Sequence, residues 1–231
     1  MESQRVPDAN MYKNTCIKLA ENNHLETLIA VRCGCEMGMT RMEIVNAEAS
    51  NLDRFHPQGL WVEIAKKISY RGGKIMRSRE IPVNPDLYMA LKNYIKEDQK
   101  FILRRKRGDP NKPFSKRYVN EMYTQHGVSW TTHMSRHFFK DCLYNFMRRN
   151  RQIDVALVKS LMGHTLDVHE SYGSISWKYK KEVINDTFEN LYINGYDEYM
   201  TRFAKEIDIP IEKIKFIYEI FNNSKRFPLY K

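Results

Sequence analysis

Four side chains that could act together on a phosphate ester lie between positions 133 and 172 of the chain. They are two imidazoles, a guanidinium and a phenol, from His133, His164, Arg136 and Tyr172. Because His133 and Arg136 are three residues apart, they would share one face of a helix and could reach the same anion. A tyrosine can attack a phosphodiester while positioned cations hold the negative charge that develops. The set therefore fits phosphoryl transfer through a covalent tyrosine intermediate.

Each of these residues is a weak signal when it is taken alone. A histidine three residues before an arginine is common and usually structural, and a histidine just past a helix end often only binds a carbonyl. Tyr172 is one of 14 tyrosines. The prediction therefore depends on the order of the residues, on their spacing and on the basic character of the chain.

The chain carries a formal net charge of +10 and has a pI of about 9.3. Such a balance favours an anionic partner, most often nucleic acid. Residues 66–79 contain six basic side chains and no acidic one, and residues 100–117 contain eight against the single Asp109. Either basic segment alone could be ordinary solvated surface. Two such segments in one chain indicate that the charge binds a partner, because concentrated like charge otherwise destabilises a compact state. We expect double-stranded DNA as the partner.

The composition also limits the compartment and the kind of site. No stretch is long and apolar enough to cross a membrane, and the first residues lack the apolar run of a signal peptide. A cytoplasmic location follows as the expectation, in the nucleoid of a prokaryote or of the host if the protein is virally encoded. The four cysteines, at positions 16, 33, 35 and 142, lack the spacing of a zinc site. We expect reduced thiols, no metal and no cofactor.

The apolar spacing predicts a mainly helical fold with a small three-stranded antiparallel sheet, in the α+β class. Helices are expected over 10–31, with a break at Asn22 or Asn23, and over 41–49, 84–95, 114–123, 133–149 and 154–162. Asp154 would cap the last of these and Gly163 would end it. The strands are expected at 51–55, from 60 to about 70, and from 73 to 83, with a glycine turn between the last two.

These motifs resemble those of the tyrosine recombinases, the phage-integrase and Xer-type enzymes. The pattern of that family is H-x-x-R-H, a helix, a second helix that ends in L-G-H, and then a nucleophilic tyrosine. This chain reads His133-Met134-Ser135-Arg136-His137, then Leu161-Met162-Gly163-His164, then Tyr172. The tyrosine follows the second histidine by eight residues rather than the usual nine, and Tyr179 is the alternative nucleophile.

Two further motifs carry the resemblance into the first half of the chain. The family's hairpin places a glycine-lysine pair five residues before an arginine and eight before a proline, as Gly73-Lys74, Arg79 and Pro82 do here. Its first arginine belongs to the pattern G-[LM]-R-x-x-E. Residues 38–43 read Gly-Met-Thr-Arg-Met-Glu, so that Thr40 occupies the usual place of the arginine and Arg41 follows one position later.

The resemblance implies a role for each candidate residue. Tyr172 would attack the scissile phosphate, form a 3′-phosphotyrosyl link and release a 5′-hydroxyl. Arg41 and Arg136 would clamp the nonbridging oxygens, and Lys74 would protonate the departing oxygen. His133 would assist proton transfer at the tyrosine, and His164 would donate a hydrogen bond to the phosphate. For His137 a supporting role is favoured over a catalytic one.

The resemblance covers roughly residues 10–190 and implies a catalytic domain over 1–195, followed by a helical tail over 196–231. The apolar stripe of that tail could pack on its own domain or dock onto a neighbouring protomer. A separate N-terminal domain usually completes a clamp around DNA in this family, and nothing before residue 10 could supply it, so the chain would be a fragment or a minimal form. Self-association is expected, as a tetramer on DNA and as a monomer or dimer when free.

Two other functions remain open from the sequence. A type IB topoisomerase or telomere-resolving relative shares the tyrosine chemistry, but topoisomerases usually have a lysine or arginine in the place of His133. A catalytically silent DNA-binding module is conceivable because Arg41 is displaced from its usual position. Site-specific DNA recombination or integration is the favoured reading.

Overall fold

A computed structural model of the chain describes residues 6–70, 73–104, 109, 111–115, 117–150, 153–164 and 175–189, with the backbone alone for 64–70 and 73–77. Within these ranges the fold is mainly helical and contains one antiparallel hairpin. The helices and strands are α1 (Ala9–Glu21), α2 (Leu25–Met37), α3 (Arg41–Asn46), β1 (Gly59–Tyr70), β2 (Gly73–Pro82), α4 (Pro85–Tyr94), α5 (Tyr118–Gln125), α6 (Thr132–Arg149), α7 (Val155–Met162) and α8 (Trp177–Glu189). No helix in these ranges is long and apolar enough to cross a membrane.

The sheet has two strands in the described ranges, and the prediction of a strand at 51–55 is wrong. β1 and β2 pair from Gly59 opposite Pro82 to Tyr70 opposite Gly73. The residues before β1 instead form a short 3-10 helix, after which Leu52 makes a single bridge to Leu60. Turn chemistry explains the difference, because a residue with positive φ cannot continue a strand.

Asp53 is the residue that ends the extended backbone there. Its φ is 62°, and its carboxylate accepts a hydrogen bond from the backbone N–H of Gln58 at 2.7 Å. Its own N–H donates to the carbonyl of Gly59 at 2.8 Å. These bonds close a tight loop, so the chain reverses before β1 and does not add a third strand.

Helix α2 is the central element of the fold. Every residue from Thr27 to Met37 is buried, and the helix contacts α1, α3, α5 and α6. A helix buried on all sides must satisfy its charged side chains internally. Arg32 does so by donating from Nε to Glu36 at 2.6 Å and from Nη2 to Asp86 at 2.5 Å. The predicted break before α2 is confirmed, since Asn23 has a positive φ of 55°.

Close approach of α2 and α6 depends on small residues. A Cβ on Gly34 would lie 2.7 Å from the Cβ of Ser135, the residue just before Arg136. Thr131 caps α6 by accepting from the backbone N–H of Met134. The packing of α6 against a fully buried helix therefore fixes the base of the arginine side chain.

Both α2 and α7 end at a glycine in the left-handed conformation. Gly38 has φ 60° and Gly163 has φ 65°. The predicted cap and end of α7 are confirmed, because Asp154 accepts from the N–H of Leu157 at 2.8 Å. These two glycine ends turn the last carbonyls of two helices toward the same region of the molecule.

Replacing Gly38 by alanine is expected to destabilise the fold more than replacing Gly127. Both glycines have positive φ, which for a non-glycine residue costs about 1–2 kcal/mol. A Cβ on Gly127 meets open space, whereas one on Gly38 would lie 2.9 Å from Cε1 of Phe139 and closer still to Cδ1. The clash adds about 1–3 kcal/mol.

Urea-induced unfolding of Gly38→Ala and Gly127→Ala measures this difference directly. Equal losses of unfolding free energy would show that the Phe139 ring moves aside at no cost.

Candidate active site

Arg79 of β2 lies in a buried cluster at the ends of α2 and α7. Its Nε donates to Oε1 of Glu43 at 3.0 Å, and its Nη2 donates to Oε2 of the same carboxylate at 3.2 Å. Nη2 also donates to the carbonyl of Gly38 at 3.1 Å, and Nη1 to the carbonyl of Leu161. The Arg79 side chain is only 4% exposed. Because its N–H groups point at protein oxygens, Arg79 serves to hold the cluster together.

Arg136 of α6 belongs to the same cluster. Its Nη1 donates to the carbonyl of Gly38 at 2.6 Å and lies 3.5 Å from Oε2 of Glu43. Its Nη2 donates to the carbonyl of Met162 and lies 3.4 Å from Nε2 of His164. The side chain is 13% exposed, so part of the guanidinium faces solvent. Arg136 thus joins the buried network to the surface.

The charges in the cluster shift one another's pKa values. Burial alone raises the pKa of Glu43, but Arg79, the hydrogen bond from the backbone N–H of Thr40 and the charge of Arg136 together lower it more, so that the pKa lies below its usual value. Burial and the charge of Arg79 lower the pKa of Arg136 to about 10, and Glu43 partly offsets this. At neutral pH the cluster therefore contains one carboxylate and two guanidinium ions, with a net positive charge.

His133 and His137 lie one turn apart on α6 and contact each other. Their Nε2 atoms are 3.0 Å apart, and the rings meet edge to face. Burial, then His133, then Lys140 lower the pKa of His137. A hydrogen bond between two Nε2 atoms requires one protonated and one unprotonated nitrogen. The contact therefore restricts which tautomers the two rings can adopt together.

The remaining predicted residues are described only in part. Arg41 is half-buried in the first turn of α3 and makes no hydrogen bond or ion pair with any residue of the described ranges. It lies two positions from Glu43, and residues so spaced on a helix do not face each other. Lys74 pairs with Ser69 beside the hairpin turn, but its side chain lies outside the described atoms. Tyr172 lies outside the described residues.

Tyr179, the alternative nucleophile, lies in the first turn of α8. Its side chain is partly buried against the hydrophobic core. Burial and the nearby Asp154 raise its pKa, which disfavours the phenolate. Its position and environment suit packing.

The sequence and the fold of the chain are both similar to those of known proteins. The model of the phage integrase family matches residues 9–170, which is more than half of the chain. The chain belongs to this family. The matched region contains the cluster and ends two residues before Tyr172.

Two similar proteins extend the comparison. The chain is 28% identical over 134 residues to the tyrosine recombinase XerA of Pyrococcus furiosus, an alignment that covers 54% of this chain and 45% of that protein. The integrase from mycobacterium phage Brujita has a similar fold, with a TM-score of 0.57 and 17% identity over 88% of this chain and 66% of that one. The chain thus spans under half of the length of its curated relative.

The centre of the cluster is formed by two residues that the sequence analysis did not select as site residues. Glu43 and Arg79 were noted only as parts of motifs, yet they form the centre of the cluster. Their 36-residue separation in sequence gives no signal of contact. The readable signal was the presence of Gly38 and Glu43 in one family motif and of Arg79 in a second, and these three residues meet at one place.

Replacing Glu43 by glutamine is expected to lower the free energy of unfolding by about 3 kcal/mol at pH 7, because two buried guanidinium ions lose their counter-charge. The folded-state pKa of Glu43 is below its ordinary value of 4.5. Its stabilisation is therefore fully present above about pH 4.5 and is lost as the pH falls through the lowered value. The gap between wild type and Glu43→Gln should narrow below pH 4.5.

Urea denaturation from pH 7 to pH 3 provides the measurement. The matched control is Glu63→Gln, at an exposed position on β1, which should change stability by less than about 0.5 kcal/mol. A gap that stays constant with pH would contradict the charge assignment for Glu43.

Proposed function

We propose that residues 1–195 form the catalytic domain of a site-specific DNA recombinase or integrase that cleaves and rejoins DNA through a 3′-phosphotyrosyl intermediate. The main support is the contact of Arg136 with His164 above a buried, net positive cluster. The two residues are 28 positions apart in sequence and belong to separate motifs of the family. A partly exposed guanidinium beside an imidazole can hold a phosphate that approaches from solvent.

The demand that the reaction makes on the protein is electrostatic. Attack on a phosphodiester builds additional negative charge on the nonbridging oxygens, and cations fixed in advance stabilise that charge without reorganising. Arg136 would bind one of these oxygens through its fork of N–H donors. Its hydrogen bonds to the carbonyls of Gly38 and Met162 would hold the fork in place before DNA arrives. His164 would donate to the same phosphate.

The covalent step exchanges one phosphate ester for another. The phenol oxygen of Tyr172 would form a bond to phosphorus as the bond from phosphorus to the 5′ oxygen breaks. His133 would accept the phenolic proton, and Lys74 would donate a proton to the departing 5′ oxygen. Rejoining reverses these transfers when a 5′-hydroxyl attacks the phosphotyrosine. The ester bond energy is conserved, so no nucleotide cofactor is consumed.

His137 would support this chemistry indirectly. Its Nε2 lies 3.0 Å from Nε2 of His133, the proposed proton acceptor. A neutral His137, which its lowered pKa favours, can share one proton with His133 in the hydrogen bond between the two Nε2 atoms. We assign His137 a positioning role, since it touches the reacting group only through His133.

Arg41 would be the second phosphate-binding cation. It lies in the first turn of α3, two residues before the buried Glu43, and has no hydrogen-bonding or ionic partner among the described residues. Arg79 is unsuited to this role, because its donors are directed at Glu43 and at two carbonyls. A half-buried guanidinium that no described residue binds is available for an external anion.

The proposed partner is double-stranded DNA, which the two basic segments at 66–79 and 100–117 would contact through phosphates. Strand exchange needs more than one active site, so we propose a tetramer on DNA and a monomer or dimer in its absence. The tail at 196–231, which lies outside the described residues, would pack on its own domain or on a neighbouring protomer.

Tyr172→Phe should abolish covalent capture of DNA and leave binding largely intact, because only the attacking oxygen is removed. A duplex nicked close to the scissile phosphate would trap the adduct with the wild-type protein, and mass spectrometry of the trapped peptide would identify the modified side chain. Tyr179→Phe is the matched control and should retain capture.

An adduct that survives in Tyr172→Phe would refute this nucleophile. If wild-type protein forms the adduct, joining of strands from two duplexes distinguishes a recombinase from a topoisomerase, which would only relax a supercoiled circle.

Arg41→Ala should reduce the single-turnover rate of adduct formation about 10²-fold, as removal of a donor to a developing oxyanion typically does. Arg41→Lys keeps the charge but not the fork of N–H donors, so its rate should lie between those of the wild type and of Arg41→Ala. The control is Arg148→Ala, at an exposed position on α6, which should change only salt-dependent affinity. An unchanged rate in Arg41→Ala would remove this residue from the catalytic set.

A further inference from the structure

The segment between His164 and Ile175 carries Tyr172, and the chain on each side of it contacts strand β2. On the N-terminal side, the last residues of α7 contact the arginines of the cluster. The carbonyl of Leu161 accepts from Arg79, and that of Met162 accepts from Arg136. This side is part of the active site described above.

On the C-terminal side, the first residue of α8 belongs to a second cluster. The ring of Trp177 stacks on the ring of His56, with centroids 4.6 Å apart and planes 16° from parallel. Nδ1 of His56 lies 2.6 Å from Oε2 of Glu80, and the backbone N–H of His56 donates to Oε1 at 3.0 Å. Glu80 thus orients the imidazole on which Trp177 rests.

The close packing of this second cluster depends on a glycine. A Cβ on Gly59 would lie 2.6 Å from Oε1 of Glu80 and 2.8 Å from Cη2 of Trp177. Any larger residue would separate the carboxylate from the indole. Lys180 lies one turn beyond Trp177, and the Glu80 charge partly offsets the lowering of its pKa by burial. Trp177 is therefore connected to Glu80 of β2 through His56, and Lys180 through the charge of Glu80.

Arg79 and Glu80 are adjacent on β2, so their side chains point to opposite faces of the strand. Arg79 contacts the end of α7, and Glu80 contacts, through His56, the beginning of α8. Two consecutive residues of one strand thus connect to both ends of the segment that contains the proposed nucleophile.

The C-terminal connection is the shorter of the two. Tyr172 is five residues from Trp177, so their Cα atoms are at most about 18 Å apart, whereas the ten residues from Met162 allow about 36 Å. A displacement of the start of α8 is therefore transmitted to Tyr172 more directly than one at the end of α7. In catalysis a misplacement of about 1 Å can cost about 10²-fold in rate.

We propose that Glu80, His56 and Trp177 are positioning residues for Tyr172, which hold the start of α8 against β2 and so limit where the phenol can lie. This inference rests on the proposed function for the identity of the nucleophile, but not for the anchor itself.

Trp177→Ala tests the anchor with three measurements on the full-length chain. The single-turnover rate of adduct formation on the nicked duplex should fall about 10- to 100-fold, while affinity for DNA, measured by fluorescence anisotropy, should change less than twofold. Cleavage after Glu170 by a glutamate-specific protease should become faster, because the segment loses its C-terminal anchor. Trp177→Phe retains a stacking ring and should stay within threefold of wild type in rate.

The matched control is Tyr118→Ala, which removes another surface stack, that of Tyr118 on Phe114 at 4.2 Å, and should alter neither the rate nor cleavage after Glu170. If Trp177→Ala does not fold, His56→Ala and Glu80→Gln test the same contacts with smaller changes in packing, and each should lower the rate at least threefold.

A Trp177→Ala protein that is folded and keeps both the wild-type rate and wild-type proteolysis would overturn the proposal, as would equal losses of rate and of DNA affinity. If the wild-type protein itself forms no adduct, the proposed function fails. The proteolysis measurement then still decides whether the anchor exists.

Discussion

The rest of the site depends on the ionic interaction of the buried Glu43 carboxylate with Arg79 and Arg136. Moving two guanidinium ions out of water is unfavourable unless an opposite charge accompanies them. Glu43 supplies that charge to Arg79 at 3.0 Å and to Arg136 at 3.5 Å. One carboxylate between two arginines leaves an excess of one positive charge. The arrangement therefore gives each buried guanidinium a counter-charge and still keeps a net positive charge.

Backbone carbonyls accept hydrogen bonds from the arginine N–H groups that the single carboxylate cannot satisfy. Gly38 accepts from both arginines, and Leu161 and Met162 accept from one each. These carbonyls lie at the C-terminal ends of α2 and α7, where the last four carbonyls of a helix lack intrahelical partners and the dipole is negative. Because Gly38 and Gly163 end the two helices, carbonyls at both helix ends can accept hydrogen bonds from the guanidinium ions. The arginines thereby connect α2 and α7, which are far apart in sequence.

Local signals in the sequence predicted the elements better than their contacts. Asp154 and Gly163 mark the start and end of α7 by capping chemistry alone, and both predictions are confirmed. The prediction of a third strand at 51–55 was wrong because Asp53 has a positive φ, and the turn there prevents its neighbours from forming a strand. The pairing of Glu43 with Arg79 was not predicted, since no periodicity relates residues on a helix and a strand that meet only in the folded chain. Lys74 and Tyr172 remain predictions from motif spacing.

The shift of the first-motif arginine from position 40 to position 41 accompanies a helix cap at position 40. Thr40 and Glu43 form a capping box, in which the hydroxyl accepts from the N–H of Glu43 at 3.3 Å and the carboxylate accepts from the N–H of Thr40 at 2.6 Å. An arginine at position 40 could not accept that first bond, so threonine stabilises the start of α3. The guanidinium then lies one residue later, about 100° around the helix axis. Glu43 consequently stabilises the start of α3 and the two buried arginines with the same two carboxylate oxygens.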